Sequence, residues 1–472
     1  ILYYIYHCKG KRRSDLMLYS FIHNISLLAI KLFFNQITLQ NKETVPEDGP
    51  VIFVANHPNF FMDPLIVGSL SPRKLHFFAK STLFNTPLKK WILSSLPLVP
   101  VYRKIDDEKN MNKNQDSFNK GYEILENNGA FLIFPEGISM GKRVLEKIKT
   151  GAARIGLEAE SKNNFDLNIS IIPIGLSYSD MVRFRSNIMI RYGNPIKLKE
   201  FEEEYKNNSI ETVKKVTGVI ESSLNSLTNY IETDEIEDIV EGLELIYKME
   251  LMTELGMELD DKNDDFITTK IMTDAVQWYK DNEPSLVIKF RERLNDYISL
   301  LKQLDIRDEF LDPARQENRQ WGKTRTILFL IIGSPLFFWG VLTNYLPYRL
   351  PRLIISKKNL DGPAPSNAQE ASWKLMYGFV LFLIYYTMEI MIFWHLTNDM
   401  MLVSVFILSL IPSGNFALYY SKNIRIYKQH VKFLSIFYKK RTIIFNIIQK
   451  RMELIQFIEE LKNQYLEKIE KD

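Results

Sequence analysis

A histidine and a carboxylate stand a short loop apart in ANHPNFFMDPL, residues 55–65. The segment follows an apolar run, Val51-Ile52-Phe53-Val54-Ala55, that reads as a buried strand. Asn56 and His57 therefore fall at a strand end, and Asp63 lies just beyond the loop. A carboxylate beside an imidazole fixes its tautomer and stabilises the imidazolium once a proton has been taken, which makes His57 and Asp63 a candidate general base and its orienting partner.

Three further segments carry groups that suit a phosphate ligand. In FLIFPEGISMGKR (131–143) a strand runs into the turn Pro135-Glu136-Gly137, followed by Ser139, Lys142 and Arg143. Backbone N–H groups and basic side chains at a strand end are suited to an anion. The same segment contains a literal G-x-S-x-G around Ser139, the pattern of a hydrolase nucleophile. In such hydrolases the triad histidine follows the serine, and only His395 and His430 do so here, so the match reads as accidental. LPLVPVYRKIDD (96–107) places Arg103 just past a strand, and ISIIPIGLSYSD (169–180) places Pro173 and Gly175 near another strand end.

The elements that must position these groups alternate. VIFVAN, KLHFFAK, LVPVYR, AFLIFPE, ISIIPIGL and IMIRYG read as strands, with helical patterns between them at 113–127 and 148–160. That order predicts an α/β domain with a mostly parallel sheet over residues 45–200. Before it, 1–44 read as a membrane-associated helical segment: LMLYSFIHNISLLAIKLFF (16–34) suits an interfacial helix or one packed on the next domain. After it, 201–322 are charged and helix-favouring, with charge runs that read as solvated faces.

Residues 323–421 contain three apolar segments, 326–346, 375–394 and 400–420. Each is long enough for a hydrocarbon core of roughly 30 Å. Basic residues flank the first on both sides (Arg315, Arg319, Lys323, Arg325; Arg349, Arg352, Lys357, Lys358) and follow the third (Lys422, Arg425, Lys428), whereas HLTND between the second and third has none. The positive-inside tendency predicts a helical hairpin for the second and third, with both ends cytoplasmic, and a first segment that re-enters at a bend at Gly333-Ser334-Pro335. Glu389, inside the second segment, reads either as functional or as a helix contact. The tail, 422–472, is basic and amphipathic and reads as a membrane-surface helix or a coiled coil.

Composition excludes several classes. A net charge of +3 gives no ground for nucleic-acid binding. With Cys8 as the one cysteine there is no disulfide framework and no cysteine zinc site, which fits a reducing compartment. Six histidines are too few for a His/Asp metallohydrolase with a full ligand set. The chain opens on Ile1, so a start further upstream is expected.

Taken together, in this order and spacing, NHPNFFMD, VPVYRK, FPEGISM and IPIG resemble the four blocks of the glycerolipid acyltransferase superfamily, the glycerol-3-phosphate and 1-acylglycerol-3-phosphate acyltransferases. Five residues separate His57 from Asp63 where the usual block has four, and the usual Thr-Arg after FPEG is missing. Both departures resemble the branch of fungal-type glycerol-3-phosphate/dihydroxyacetone-phosphate acyltransferases and their bacterial relatives, which also carries helical and membrane segments after the catalytic domain. The resemblance implies transfer of an acyl group from acyl-CoA or acyl carrier protein, as co-substrate, to a hydroxyl of a glycerol-phosphate acceptor, without cofactor or metal. It implies His57 as base and Asp63 as its orienting group. Arg103, Glu136, Gly137, Ser139 and a basic residue, Lys142 or Arg143, would be acceptor-binding, with Asn56, Pro173 and Gly175 further site candidates. Membrane lipids are the expected partners, and an integral membrane protein with its catalytic domain on the cytoplasmic face is the expected setting. Another lysolipid acceptor, or a non-catalytic membrane scaffold, are the alternatives.

Overall fold

The structure is a computed structural model that describes residues 13–84, 86, 96–101, 114–139, 147–229, 231, 234–312, 323–356 and 366–469. The chain divides into two compact units, residues 1–230 with 360–375, and residues 231–359 with 376–472.

The first unit is built on a mostly parallel sheet. It opens with helix α1 (Arg13–Phe33) and strand β1 (Gln36–Gln40), followed by β2 (Val51–Ala55), α2 (Met62–Leu70), β3 (Leu75–Lys80), β4 (Leu98–Val101), α3 (Asn114–Glu126), β5 (Ala130–Ile133), α4 (Gly151–Lys162), β6 (Ser170–Tyr178), β7 (Asn187–Tyr192), β8 (Ile196–Lys197), α5 (Glu202–Asn207) and α6 (Ser209–Leu227). The strand order is β1-β7-β6-β2-β5-β3-β4, with β8 on β6. β6 runs antiparallel to β7 and β8, and the other pairs are parallel. The six apolar runs of the sequence are β2 to β7. β1 is an additional strand, so the sheet begins at Gln36, ahead of the boundary expected at 45. QITLQ lies at the sheet edge, where one row of partners is lacking and polar ends are tolerated, so it carries no apolar run.

β2 is central, and all five of its residues are buried. Ile52 and Val54 face a core shared with Leu157 and Ile155 of α4 and Val216, Ile220 and Leu224 of α6. α2 packs on the other face, where Gly68 lies against the ring of Phe77 while Phe78, its neighbour on β3, joins the first core. α1 ends buried at Ala29, Ile30 and Phe33, while Phe21 and Leu28 remain exposed. Each fully buried aliphatic or aromatic side chain stabilises such a core by about 1.5–3 kcal/mol.

The second unit is helical, with α7 (Asp234–Ile246), α8 (Lys248–Glu254), α9 (Lys262–Asn282), α10 (Pro284–Leu304), α11 (Lys323–Ser356), α12 (Ser366–Thr397, whose first ten residues belong to the first unit), α13 (Met400–Lys439) and α14 (Arg441–Ile469). Stretches of α11, α12 and α13 are long and apolar enough to cross a membrane: Thr326–Ser356, Gln369–Thr397 and Met400–Lys439. α11 continues as a helix through Gly333-Ser334-Pro335, where a re-entrant turn was expected, and also contains Pro347 and Pro351. Proline is accommodated in such helices when neighbours hold the backbone. Here Gly340 of α11 presses on the Ser413 carbonyl of α13, and Asn344 donates to Gly340 O (3.0 Å) and Leu410 O (3.2 Å) while accepting from Tyr386 Oη (2.6 Å).

The tail also differs from expectation. The apolar face of α14, at Ile444, Ile447, Leu454 and Ile458, is buried with Tyr297, Leu294 and Val240 of α10 and α7. Its buried Arg451 donates to Asp308 (2.9 Å) and to Ile246 O (3.1 Å), so part of the basic charge serves packing within this unit.

Candidate active site

Parallel pairing brings the C-terminal ends of β5, β2 and β6 side by side, the place where open α/β sheets hold ligands. Val54 pairs with Ile133 and Ala55 with Ile174. Continuing that register sets His57 opposite Glu136 and Asn56 opposite Gly175. The hydrogen bonds follow it. Glu136, buried, accepts the His57 N–H at 2.8 Å. Asn56 clasps β6 with two bonds, donating to Leu176 O (3.0 Å) and accepting from Leu176 N (2.7 Å).

His57 Nδ1 lies 2.9 Å from Asp63 Oδ2, so the histidine and carboxylate meet across their five-residue loop. The loop closes because Phe60 takes a left-handed conformation, φ 41°. That conformation costs a bulky residue about 1–3 kcal/mol and needs support from its surroundings. Ser139 Oγ accepts the Phe60 N–H (2.7 Å), Asn59 Nδ2 donates to Met181 O (2.8 Å), and Ser372 Oγ, at the start of α12, accepts from Met62 N (3.0 Å). Lys374, one turn on along the same helix face as its partner Glu370, donates to Val182 O (3.3 Å). The imidazole stacks on Phe134, with centroids 4.1 Å apart, and retains 16% of its side-chain accessibility. With Nδ1 engaged, Nε2 is the nitrogen left to take a proton.

Asp63 is fully buried and collects three donors. Oδ2 accepts from His57 Nδ1 and from Asn59 N (2.7 Å), and Oδ1 accepts from the Tyr178 hydroxyl. Burial, and then the Asp63 charge, raise the Tyr178 pKa well above its ordinary value, so the phenol stays a donor. Tyr178→Phe is expected to leave one oxygen of a buried carboxylate without its partner and to destabilise the protein by about 1–3 kcal/mol. Thermal unfolding of the purified variant checks this; an unchanged midpoint would show the bond to be dispensable.

The remaining candidates fall in three groups. Ser139 is buried, with its Oγ on the loop amide described above, and Gly137 adopts φ +74°, a turn open to glycine at no steric cost. Pro173 and Gly175 lie inside β6, where Gly175 is pressed against the Leu227 carbonyl, a packing position. Arg103, Lys142 and Arg143 lie outside the described residues. Tyr178, Asn59 and Ser372 are participants that sequence reasoning missed. Tyr178 follows the fourth block by three residues on the strand, which is a weak signal, and Ser372 had none. Among the described residues, no group of three or more His, Cys, Asp or Glu is arranged to hold a metal ion.

The domain that carries this site is similar to known proteins. Residues 36–177 match the Acyltransferase family model, and this part of the chain is an acyltransferase-family domain. Glycerol-3-phosphate O-acyltransferase 1 of Saccharomyces cerevisiae is 24% identical over 280 residues, covering 55% of this chain and 35% of the relative. Glycerol-3-phosphate O-acyltransferase 2 of the same yeast is 30% identical over 136 residues, covering 29% of this chain and 18% of the relative. The chain thus spans about a third and about a fifth of the length of these two relatives. Among solved structures, the 1-acyl-sn-glycerophosphate acyltransferase PlsC of Thermotoga maritima aligns with a TM-score of 0.33 at 17% identity, covering 47% of this chain and 86% of that one.

Proposed function

We propose that the protein is a membrane-bound O-acyltransferase that moves a fatty acyl group from a thioester, acyl-CoA or acyl carrier protein, to a hydroxyl of glycerol-3-phosphate or 1-acylglycerol-3-phosphate. The observation that carries this reading is the 2.9 Å contact of His57 Nδ1 with buried Asp63 inside an acyltransferase-family domain. His57 Nε2 takes the proton of the acceptor hydroxyl as its oxygen attacks the thioester carbonyl. The tetrahedral oxyanion collapses, the C–S bond breaks, and the imidazolium returns the proton to the leaving thiolate. Asp63 holds the ring and stabilises its charged form. A base of this kind contributes roughly 10²–10⁴-fold. The reaction draws on the acyl donor and needs no further cofactor.

The phosphate of the acceptor calls for basic groups close to the FPEG turn. Arg103 suits bidentate phosphate contact better than a lysine would. Three apolar helices fit a lipid product, since drawing an acyl chain out of the bilayer costs about 0.8 kcal/mol per CH₂. Basic residues follow the apolar stretch of α13 within the same helix (Lys422, Arg425, Lys428) and none lies between α12 and α13, which favours a catalytic domain on the cytoplasmic side. In intact cells, a single cysteine at Asn398 should then react with an impermeant maleimide and one at Lys422 should not; the reverse pattern refutes the orientation.

The full-length protein in phospholipid vesicles, given labelled acyl-CoA and a panel of acceptors, tests the activity, with mass spectrometry identifying the product. Acylated glycerol-3-phosphate or phosphatidate is the expected product. Transfer only to a phosphate-free lysolipid would replace the acceptor class, and no transfer from either donor would point to a scaffold.

A further inference from the structure

The resemblance to the acyltransferase blocks leaves one position unfilled: FPEG is followed by Ile138 and Ser139, where a Thr and an Arg are usual. The structure brings a different basic side chain to that turn. The chain leaves β5 through Pro135-Glu136-Gly137 and returns at Lys149, whose N–H donates to Pro135 O at 3.0 Å. This bond closes the excursion and fixes the Lys149 backbone beside the turn. The ammonium then lies over Gly137, on the side where a Cβ would project, and such a Cβ would collide with Lys149 Nζ.

Three features mark this cation as a ligand group. Among the described residues, no carboxylate forms an ion pair with Lys149, whereas Lys206, Lys215 and Lys374, on helices of the same unit, are each paired with a glutamate. The adjacent Glu136 accepts the His57 N–H, so the residue that anchors the candidate base directly precedes the glycine beneath the ammonium. The Lys149 side chain is exposed, and so within reach of an entering ligand.

We propose that Lys149 binds the phosphate of the acceptor, acting at the FPEG turn in the place where the usual block has an arginine. This rests on the acyltransferase reading above and assigns that site a specificity residue for phosphate monoesters. The ammonium offers three donors and a full positive charge to a dianionic headgroup. It acts on binding of the acceptor, while the proton transfer remains with His57.

Initial rates of the full-length protein in phospholipid vesicles, with glycerol-3-phosphate and acyl-CoA varied separately, test the proposal. Lys149→Ala is expected to raise the acceptor KM by about ten- to one-hundred-fold, the size of one charge-assisted hydrogen bond. The acyl-CoA KM should stay within about twofold, and Lys149→Arg should restore most of the loss. Inorganic phosphate should compete with the acceptor in the wild type and lose potency by a similar factor in Lys149→Ala. An unchanged acceptor KM with unchanged phosphate inhibition overturns the assignment, as does a change in the acyl-CoA KM alone. Should the wild type transfer to no phosphate-bearing acceptor, the acyltransferase reading fails by itself. Equilibrium dialysis of labelled glycerol-3-phosphate against wild type and Lys149→Ala then still decides Lys149: weaker binding by the variant supports it, and equal binding or none overturns it.

Discussion

His57→Ala is expected to lower kcat by about 10²–10⁴-fold while leaving both KM values within a few-fold. The magnitude is that of a positioned general base, equal to roughly 3–5.5 kcal/mol of barrier at about 1.36 kcal/mol per factor of ten. KM is spared because Nε2 meets the hydroxyl proton chiefly in the transition state, so its loss removes little ground-state binding. The fold should survive. The ring keeps 16% of its side-chain accessibility and stacks on Phe134, while the strand end is held by the His57 backbone N–H to the Glu136 carboxylate, a bond that alanine preserves. Steady-state kinetics with circular dichroism as the folding control checks all of this. A variant with near wild-type turnover would remove His57 from the mechanism.

The site was partly legible because strand ends and residue types are local properties. VIFVA followed by NH, and AFLI followed by FPEG, put His57 and Glu136 at strand ends, and the parallel register then set them opposite each other. Whether Asp63 could reach His57 over five residues was not legible. The answer depends on Phe60 at φ 41°, a conformation its own type disfavours and that Ser139, Met181 and Ser372 impose through tertiary bonds. Tyr178 was hidden for a similar reason, since its partner is fixed by the β6–β2 register. At fold level, apolar runs exposed six strands and missed β1, whose edge position permits a polar strand. The amphipathic tail announced an apolar face without saying what covers it, and Gly333-Ser334-Pro335 looked like a break where α11 is continuous.

The bond from Met62 N to Ser372 Oγ ties the loop before Asp63 to a helix far along the chain. Ser372 lies in the first turns of α12, within the first unit, and Gln369–Thr397 of that helix is long and apolar enough to span a bilayer. Met62 directly precedes Asp63. The loop that carries Asp63 is thus held partly by the opening turns of α12. The sequence separates these residues by 310 positions, and no local pattern connects them.

Asp63→Asn is the second large effect, and its direction follows from counting donors. Three donors converge on the carboxylate: His57 Nδ1–H and Asn59 N–H on Oδ2, and the Tyr178 hydroxyl on Oδ1. An asparagine has one acceptor oxygen. The Asn59 N–H is fixed backbone and cannot turn away, so the amide oxygen must take the Oδ2 place, where it also receives His57 Nδ1–H. The amide NH₂ then faces Tyr178, whose hydroxyl can rotate and accept. Only the Tyr178 hydroxyl proton then loses its acceptor, so stability should fall by no more than about 1–3 kcal/mol, whereas Asp63→Ala strips all three donors of their acceptor at about 1–3 kcal/mol each. The ring orientation and tautomer are retained, and what disappears is the charge. A carboxylate about 4 Å from an imidazolium contributes on the order of 4 kcal/mol at an effective dielectric of about 20, part of which the amide dipole supplies. Asp63→Asn should therefore lower kcat by about 10²–10³-fold in a protein that unfolds close to the wild-type temperature, while Asp63→Ala loses both activity and thermal stability. Parallel kinetics and melting curves separate the two variants. Full activity in Asp63→Asn would show that the charge plays no part in the proton transfer, and a large loss of stability would show that the Tyr178 hydroxyl cannot reverse its bond.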